Sequence, residues 1–322
     1  MTSVVCTLFE GNYHYGLAAL TNSLLINGFK GSIFAGFRGN LPEWATSNKG
    51  DYAGVWTGST SLEIAPDIKL HFIPLTTDYH LTNYKPDFLL EVWDKLVPAA
   101  DAMYYFDPDI VVSAEWFAFG DWVKCGVALC EDINSPLEEN HPRRVAWREY
   151  YGEKNIKLTF KSTTYINGGF VGLSKYNKHF LHIWKNLQEA MAPVIGGLNR
   201  SSLAGAEFPE KMRGPFAAFN KTDQDALNAA VEAFTGSVSI VGKEAMAFKG
   251  GYPIMPHALG QPKPWNWNPL LQAFSGRPPR TVDRHYWQHV NSAIVTHPAS
   301  TVRFRKASLV LAGFIGRFYS KN

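Results

Sequence analysis

Apolar runs and helical stripes alternate along the first two-thirds of the chain. SVVCTLF, residues 3–9, is a short apolar run ending in a Gly-containing loop, and it predicts a buried strand. Leu17, Leu20 and Leu24 then recur at helical spacing, with Gly28 where a C-terminal helix cap belongs. GSIFAGF, residues 31–37, predicts a second strand, so the opening reads as a βαβ unit in a sheet that is at least partly parallel. KLHFIPL (69–75) predicts another strand. Pro86 stands at a helix start, with Phe88, Val92 and Leu96 as its apolar stripe. DAMYYFDPDIVV follows, an apolar strand running into two aspartates, and GVALC (126–130) predicts a further strand.

TYINGGFVGL (164–173) reads as a strand interrupted by a glycine pair, followed by a helix from Ser174 with Phe180, Ile183, Trp184 and Leu187 on one face. Thr222 is expected to cap a further helix, with Asp225 three residues on in a capping-box-like arrangement. Residues 38–66 assign to no element, 131–160 predict a charged, exposed insertion or lid, and 192–220 predict a long loop. The alternation points to an α/β fold with ligands at the carboxyl ends of its strands.

Composition narrows the class. The 322 residues fit one large domain or two modest ones, and 14% aromatic content with ten Trp suggests a large core and flat surfaces for stacking. Thirty-one Lys+Arg against 28 Asp+Glu leave a net charge of +3, which argues against nucleic-acid binding. Cys6, Cys125 and Cys130 have no metal-ligand spacing and suit a reducing compartment. The start has no basic n-region, and no apolar run reaches the ~20 residues of a membrane span, so a cytoplasmic protein is expected.

Two stretches carry candidate chemistry. In Asp107-Pro108-Asp109, on an extended backbone, both carboxylates point to one side and can share a divalent cation. A solvated turn after a strand has the same sequence. HALGQPKPW, His257–Trp265, has too much Pro and Gly for a helix and no strand alternation, so it is a loop. His257 can complete a cation shell begun by the aspartates and tilts preference toward Mn²⁺ over Mg²⁺. Gly260 lets backbone amides approach a phosphate, and Lys263 brings a point charge to it.

H-x-x-G-x-x-K-P-W downstream of a D-x-D resembles glycosyltransferase family 8, the retaining GT-A enzymes that include galactosyltransferases and glycogenin. CTLFEGNYHYGLAALTNSLL, YINGGFVGL and TDQDALN resemble further pieces of that family, in the same order, between residues 4 and 265. The resemblance implies a GT-A nucleotide-diphospho-sugar transferase fold over residues 1–300, with 301–322 as a basic-aromatic tail. It implies Mn²⁺ on Asp107, Asp109 and His257, a UDP-sugar donor whose diphosphate meets Lys263 and Gly260, and uridine near Thr7, Asn12 and Tyr13. Glu10 is displaced from the place of the family's base-reading acid. Lys85 is expected to reach the donor, and Asn167, Asp223 and Gln224 to surround the transferred sugar.

Charge developing on the leaving diphosphate calls for a Lewis acid and a fixed ammonium. Retention needs either a carboxylate nucleophile, for which Asp223 and Asp225 are candidates, or front-face attack, with Gln224 stabilising the cationic centre by its carbonyl dipole. The acceptor is a glycan, lipid-linked or other hydroxyl. Another nucleotide-sugar-processing enzyme and a catalytically silent nucleotide-sugar binder are the alternatives. An oxidoreductase is disfavoured because no G-x-G-x-x-G follows the first strand. The tail places Arg303, Arg305, Lys306, Arg317 and Lys321 among Leu311, Phe314, Ile315 and Phe318, the composition of an interfacial helix drawn to anionic lipid or of a terminal helix packed on the domain.

Overall fold

In the computed structural model, residues 1–46, 56–202 and 208–319 are described. The chain opens with β1 (Ser3–Glu10), α1 (His14–Ile26), β2 (Gly31–Arg38) and a single turn, α2 (Glu43–Thr46). β3 (Thr60–Ala65), β4 (Ile68–Pro74), α3 (Lys85–Lys95), β5 (Ala102–Phe106) and α4 (Trp116–Trp122) follow. Then come β6 (Val127–Cys130), α5 (Pro142–Gly152), β7 (Phe170–Ser174), α6 (His179–Ile195), α7 (Thr222–Ala233) and β8 (Val238–Val241). α8 (Pro269–Phe274), α9 (Thr281–His289) and α10 (Ala299–Tyr319) complete it. The fold is mixed α/β, with two units threaded through one another in sequence.

The first unit comprises Met1–Leu8, Pro74–Phe106 and Phe119–Lys243. Its strands lie in the order β1-β5-β7-β6-β8. β1 and β5 run parallel, Ser3 opposite Ala102, and β6 runs parallel to β8, but β7 is antiparallel to both its neighbours. The strands are apolar at successive positions, as expected for a sheet covered on both faces. Phe180, Trp184 and Leu187 of α6 and Leu227 of α7 are buried in this core.

The second unit comprises Phe9–Ile73, Asp107–Ala118 and Glu244–Asn322. Its strands lie in the order β3-β4-β2, with β3 antiparallel to β4. Its aromatic core joins Trp265, Trp267, Tyr286 and Trp287 to Ala19 of α1, Val111, and Val302 and Leu309 of α10. Gly28 ends α1 as expected: at φ +81° it lets Phe29 N–H reach Leu24 O at 2.9 Å and its own N–H reach Leu25 O at 3.2 Å.

Several expectations are corrected. Residues 131–160 are not an exposed insertion, because α5 buries Arg144, Trp147 and Tyr151. The strand expected over 164–173 begins only at Phe170, after the glycine pair, and the next helix begins at His179 rather than Ser174, a 3-10 turn intervening. Lys221, not Thr222, is the N-cap of α7. Asp225 nevertheless accepts Lys221 N–H at 2.7 Å, so the reciprocal half of the capping box is made one residue out. In the stretch 38–66, residues 47–55 lie outside the described residues and 60–65 form β3.

Candidate functional site

The second unit assembles the acidic pair, the histidine and the lysine. Asp107 follows the last residue of β5, and its carbonyl accepts Ile110 N–H at 3.0 Å, closing a β-turn with Pro108 at its second position. The expected extended geometry is therefore wrong; proline's fixed φ favours the turn. Both carboxylates still reach one imidazole. His257 Nε2 lies 3.3 Å from Asp109 Oδ1 and 3.8 Å from Asp107 Oδ2.

Chain pairing explains how residues so far apart in sequence meet. Ile110 forms an isolated antiparallel bridge with His257, Val111 N–H donates to Pro256 O at 3.0 Å, and Ala258 N–H donates to Asp109 O at 3.1 Å. Three ligand atoms of Asp107, Asp109 and His257 lie within 4.8 Å of one another. Ligands at ~2.1 Å from a six-coordinate ion stand ~3 Å apart when adjacent and ~4.2 Å apart when opposite. The two contacts at 3.3 and 3.8 Å fall in that range, so the donor set fits a divalent cation. His257 Nδ1 is buried with no hydrogen-bond partner among the described residues.

Lys263 donates to Asp109 Oδ2 at 2.5 Å and to Ala258 O at 2.6 Å, and stands 5.6 Å from the centre of the Tyr13 ring. Burial alone would raise the Asp109 pKa, but the charges of His257 and Lys263 outweigh it and hold the carboxyl far below the usual range. Burial also pushes the Tyr13 hydroxyl up. Trp265 is buried edge-on to Tyr13, ring centres 5.6 Å apart, and Asn12 is exposed.

The His257–Trp265 loop is held from outside itself. Arg280 donates to Leu259 O at 2.9 Å and Pro262 O at 3.2 Å while Asp283 grips its guanidinium, and Trp287 Nε1 donates to Pro264 O at 3.3 Å. Nothing near the loop in sequence announces Arg280. Gly260 sits at φ +68° with no atom within 4 Å of where a β-carbon would be, so its backbone conformation, not crowding, calls for glycine.

The first unit assembles the second group of expected residues. Lys85 is buried against the Tyr105 ring and donates to Gly168 O at 2.8 Å and Asp223 Oδ2 at 3.1 Å. Asn167 is held at both ends: its Nδ2 donates to Asp132 Oδ2 at 2.7 Å, and its Oδ1 accepts Gly169 N–H at 2.8 Å. Gln224 Oε1 accepts Gly168 N–H at 3.2 Å, leaving its buried NH₂ without a partner among the described residues. The unpaired end of this amide is thus a donor rather than the carbonyl dipole expected.

Asp132 was missed by sequence reasoning. It is 2% exposed just past β6, and its only signal was an acid at a strand end inside the stretch read as exposed. Asp225 is fully buried, accepts from Tyr165 Oη at 2.6 Å, and lies 3.6 Å from Arg143; burial pushes its pKa up to about 7. It is a structural group, which removes it as a nucleophile candidate. Thr7 is fully buried in β1, with no partner for its hydroxyl among the described residues.

No family model and no curated protein matches this chain. Among solved structures, the chain is similar to the WbbM bifunctional glycosyltransferase in its apo form, with TM-score 0.53 and 13% identity over 95% of this chain and 52% of that one. The glycosyltransferase GlyE of Streptococcus pneumoniae TIGR4 gives TM-score 0.46 and 15% identity over 96% of this chain and 64% of that one. The chain thus spans about half the length of WbbM. The WbbM likeness shows the fold: this chain has a GT-A-like glycosyltransferase fold.

Proposed function

We propose that the chain is a retaining hexosyltransferase that moves a hexose from a UDP-sugar to a hydroxyl of a glycan, a lipid-linked sugar or another acceptor. The observation that carries this reading is the convergence of buried Asp109, His257 and Lys263 with the partly exposed Asp107 in one cluster. Bound there by Asp107, Asp109 and His257, Mn²⁺ supplies Lewis acidity toward the donor diphosphate, with Mg²⁺ as the second choice. Residues 1–300 are assigned to the transferase and 301–322 to an appended tail.

The chain's own residues supply the rest. Lys263 brings a fixed ammonium to the diphosphate, and the open space at Gly260 admits phosphate oxygens to loop amides. Thr7, Asn12 and Tyr13 are assigned to the nucleoside. Lys85, Asn167, Asp223 and Gln224 are assigned to the transferred sugar. Asp132 and Gly169 hold the Asn167 amide in one orientation, and Lys85 neutralises Asp223. A carboxylate paired with a buried ammonium is a weakened nucleophile, which favours front-face attack over a covalent intermediate.

The location proposed is cytoplasmic and peripheral to the inner face of a membrane. Among the described residues no helix is long and apolar enough to cross one. α10 buries Val302, Leu309 and Ala312, yet Phe304, Leu311, Phe314 and Phe318 form a second apolar row, each at least half exposed. Arg303, Lys306 and Arg317 flank that row, and the helix contains no acid. Two apolar faces with cations beside the outer one suit an anionic lipid surface. Lys321 lies outside the described residues.

Thermal unfolding with UDP, in Mn²⁺ and then in EDTA, tests the donor site. Ligand at about a hundred times its Kd adds ~2.7 kcal/mol, a rise of a few degrees in Tm. A metal-dependent rise supports the reading, and slow hydrolysis of UDP-hexose without acceptor separates a transferase from a silent binder. No rise with UDP, with or without metal, overturns the UDP assignment and returns the choice to another nucleotide sugar.

A further inference from the structure

Of the basic residues described on α10, Arg303, Lys306 and Arg317 are exposed beside the outer apolar row, whereas Arg305 is half-buried and turned inward. Its Nη1 donates to Trp267 O at 2.9 Å, and its guanidinium carbon stands 5.7 Å from the centre of the Trp287 ring. Trp287, 1% exposed, in turn donates its Nε1–H to Pro264 O at 3.3 Å. An arginine of a helix with a lipid-seeking composition is therefore engaged with the backbone beside the His257–Trp265 loop.

The two accepting carbonyls bracket a single turn. Lys263 O accepts Asn266 N–H at 2.9 Å, closing a β-turn with Pro264 at its second position and Trp267 just past its end. Lys263 opens that turn, and its buried ammonium lies between Asp109 Oδ2 at 2.5 Å and Ala258 O at 2.6 Å. A lysine is a point charge on a flexible four-carbon stem, so the backbone that carries it decides where the charge can rest. Arg280 grips the chain before Lys263, at Pro262 O, while Trp287 and Arg305 grip it after, at Pro264 O and Trp267 O. The two later grips also pack on each other, the Arg305 guanidinium over the Trp287 ring.

We propose that Arg305 is a positioning residue for Lys263: through Trp267 O and the Trp287 ring it holds the Lys263 turn, so the inner face of α10 belongs to the donor site while its outer face meets lipid. The role of Lys263 toward a diphosphate rests on the function proposed above; the hold of Arg305 on the turn does not. A displacement of ~1 Å at a reacting centre can cost ~10²-fold in rate, and that displacement is what the grip prevents.

Competitive acetylation of the full chain with limiting acetic anhydride, read lysine by lysine in a mass spectrometer, measures the hold directly. In the parent, Lys263 should react far more slowly than exposed Lys249, as should Lys85, which is buried in the first unit and serves as the folding control. Arg305→Met keeps a long side chain and removes the donor and the charge. Loss of one hydrogen bond from a charged group should speed Lys263 labelling about tenfold and leave Lys85 unchanged. Arg305→Lys should restore protection, because the bond to Trp267 O asks for a donor and not for a planar fork. The proposal is overturned if Lys263 stays protected in Arg305→Met, if Lys85 becomes reactive with it, or if Arg305→Lys labels like Arg305→Met. With Mn²⁺ present, UDP should bind Arg305→Met more weakly than the parent and Arg305→Lys as the parent does; unchanged affinity in Arg305→Met also overturns the proposal. A parent that binds no UDP fails the donor assignment instead, and the labelling still decides whether Arg305 holds the turn.

Discussion

Gly16→Ala sets helix propensity against a single contact. Within a helix, alanine is usually worth ~1 kcal/mol over glycine, so propensity alone predicts a more stable protein. Gly16, however, lies in α1 against the Asp-Pro-Asp turn, and a β-carbon there would stand 2.3 Å from Pro108 O and 3.0 Å from Trp265 Cζ3. Ordinary contact begins at 3.4 Å, so turn and helix must part by about 1 Å. The obstacle is a backbone carbonyl, which cannot rotate aside, so the cost belongs at the upper end of the ~1–3 kcal/mol typical of overpacking. The net expectation is a loss of about 2 kcal/mol and a fall of roughly 3–6 °C in Tm. A shift of that size in the turn also moves Asp107 and Asp109 relative to His257, and ~1 Å of misplacement can reduce turnover ~10²-fold. Calorimetric unfolding, Mn²⁺ titration by paramagnetic resonance and UDP-hexose turnover measure the three effects. A variant that melts at or above the parent temperature and binds Mn²⁺ unchanged would refute the packing argument.

Asp109→Asn keeps an acceptor for Lys263 but removes the carboxylate that pairs with its buried ammonium, so Tm should fall together with metal binding. Mn²⁺-stimulated turnover should fall at least by the ~10–100-fold that even outer partners of a metal are worth, and full activity would remove Asp109 from the metal site. Burial, with the Lys69 charge adding to it, pushes His71 down to about 4 against 6.5 in the unfolded chain. The native state therefore stays neutral while the unfolded state binds a proton between those values. Stability is lost as pH falls from about 6.5 to 4, by up to ~3 kcal/mol. Asp225 acts in the opposite sense over much of that window, so the readout is the difference between parent and His71→Phe; equal Tm–pH slopes would contradict it. On α10, Phe314→Glu with Phe318→Glu alters the exposed row while sparing Leu309 and Ala312. Partition onto phosphatidylserine vesicles should drop ~10²-fold or more, and unchanged partition would refute the lipid surface.

Local chemistry was legible wherever neighbours in sequence settle the outcome. The strand-helix-strand opening, the Gly28 cap and the stripes of α3 and α6 follow from periodicity and backbone sterics that act over a few residues. The residue types of the candidate metal group were also readable, because D-x-D and H-x-x-G-x-x-K-P-W carry their chemistry in short spacings. Tertiary structure alone decided how they meet. Pairing of Ile110 with His257 joins segments 147 residues apart, and Arg280 clamps the loop by contacts absent from its own neighbourhood. The same limit hid Asp132, whose charge read as solvent-facing. Burial depends on what the rest of the chain brings to a position: Asn167 and the turn at Asn134 take up the Asp132 carboxylate, and an acid on an apparently exposed stretch becomes part of the core.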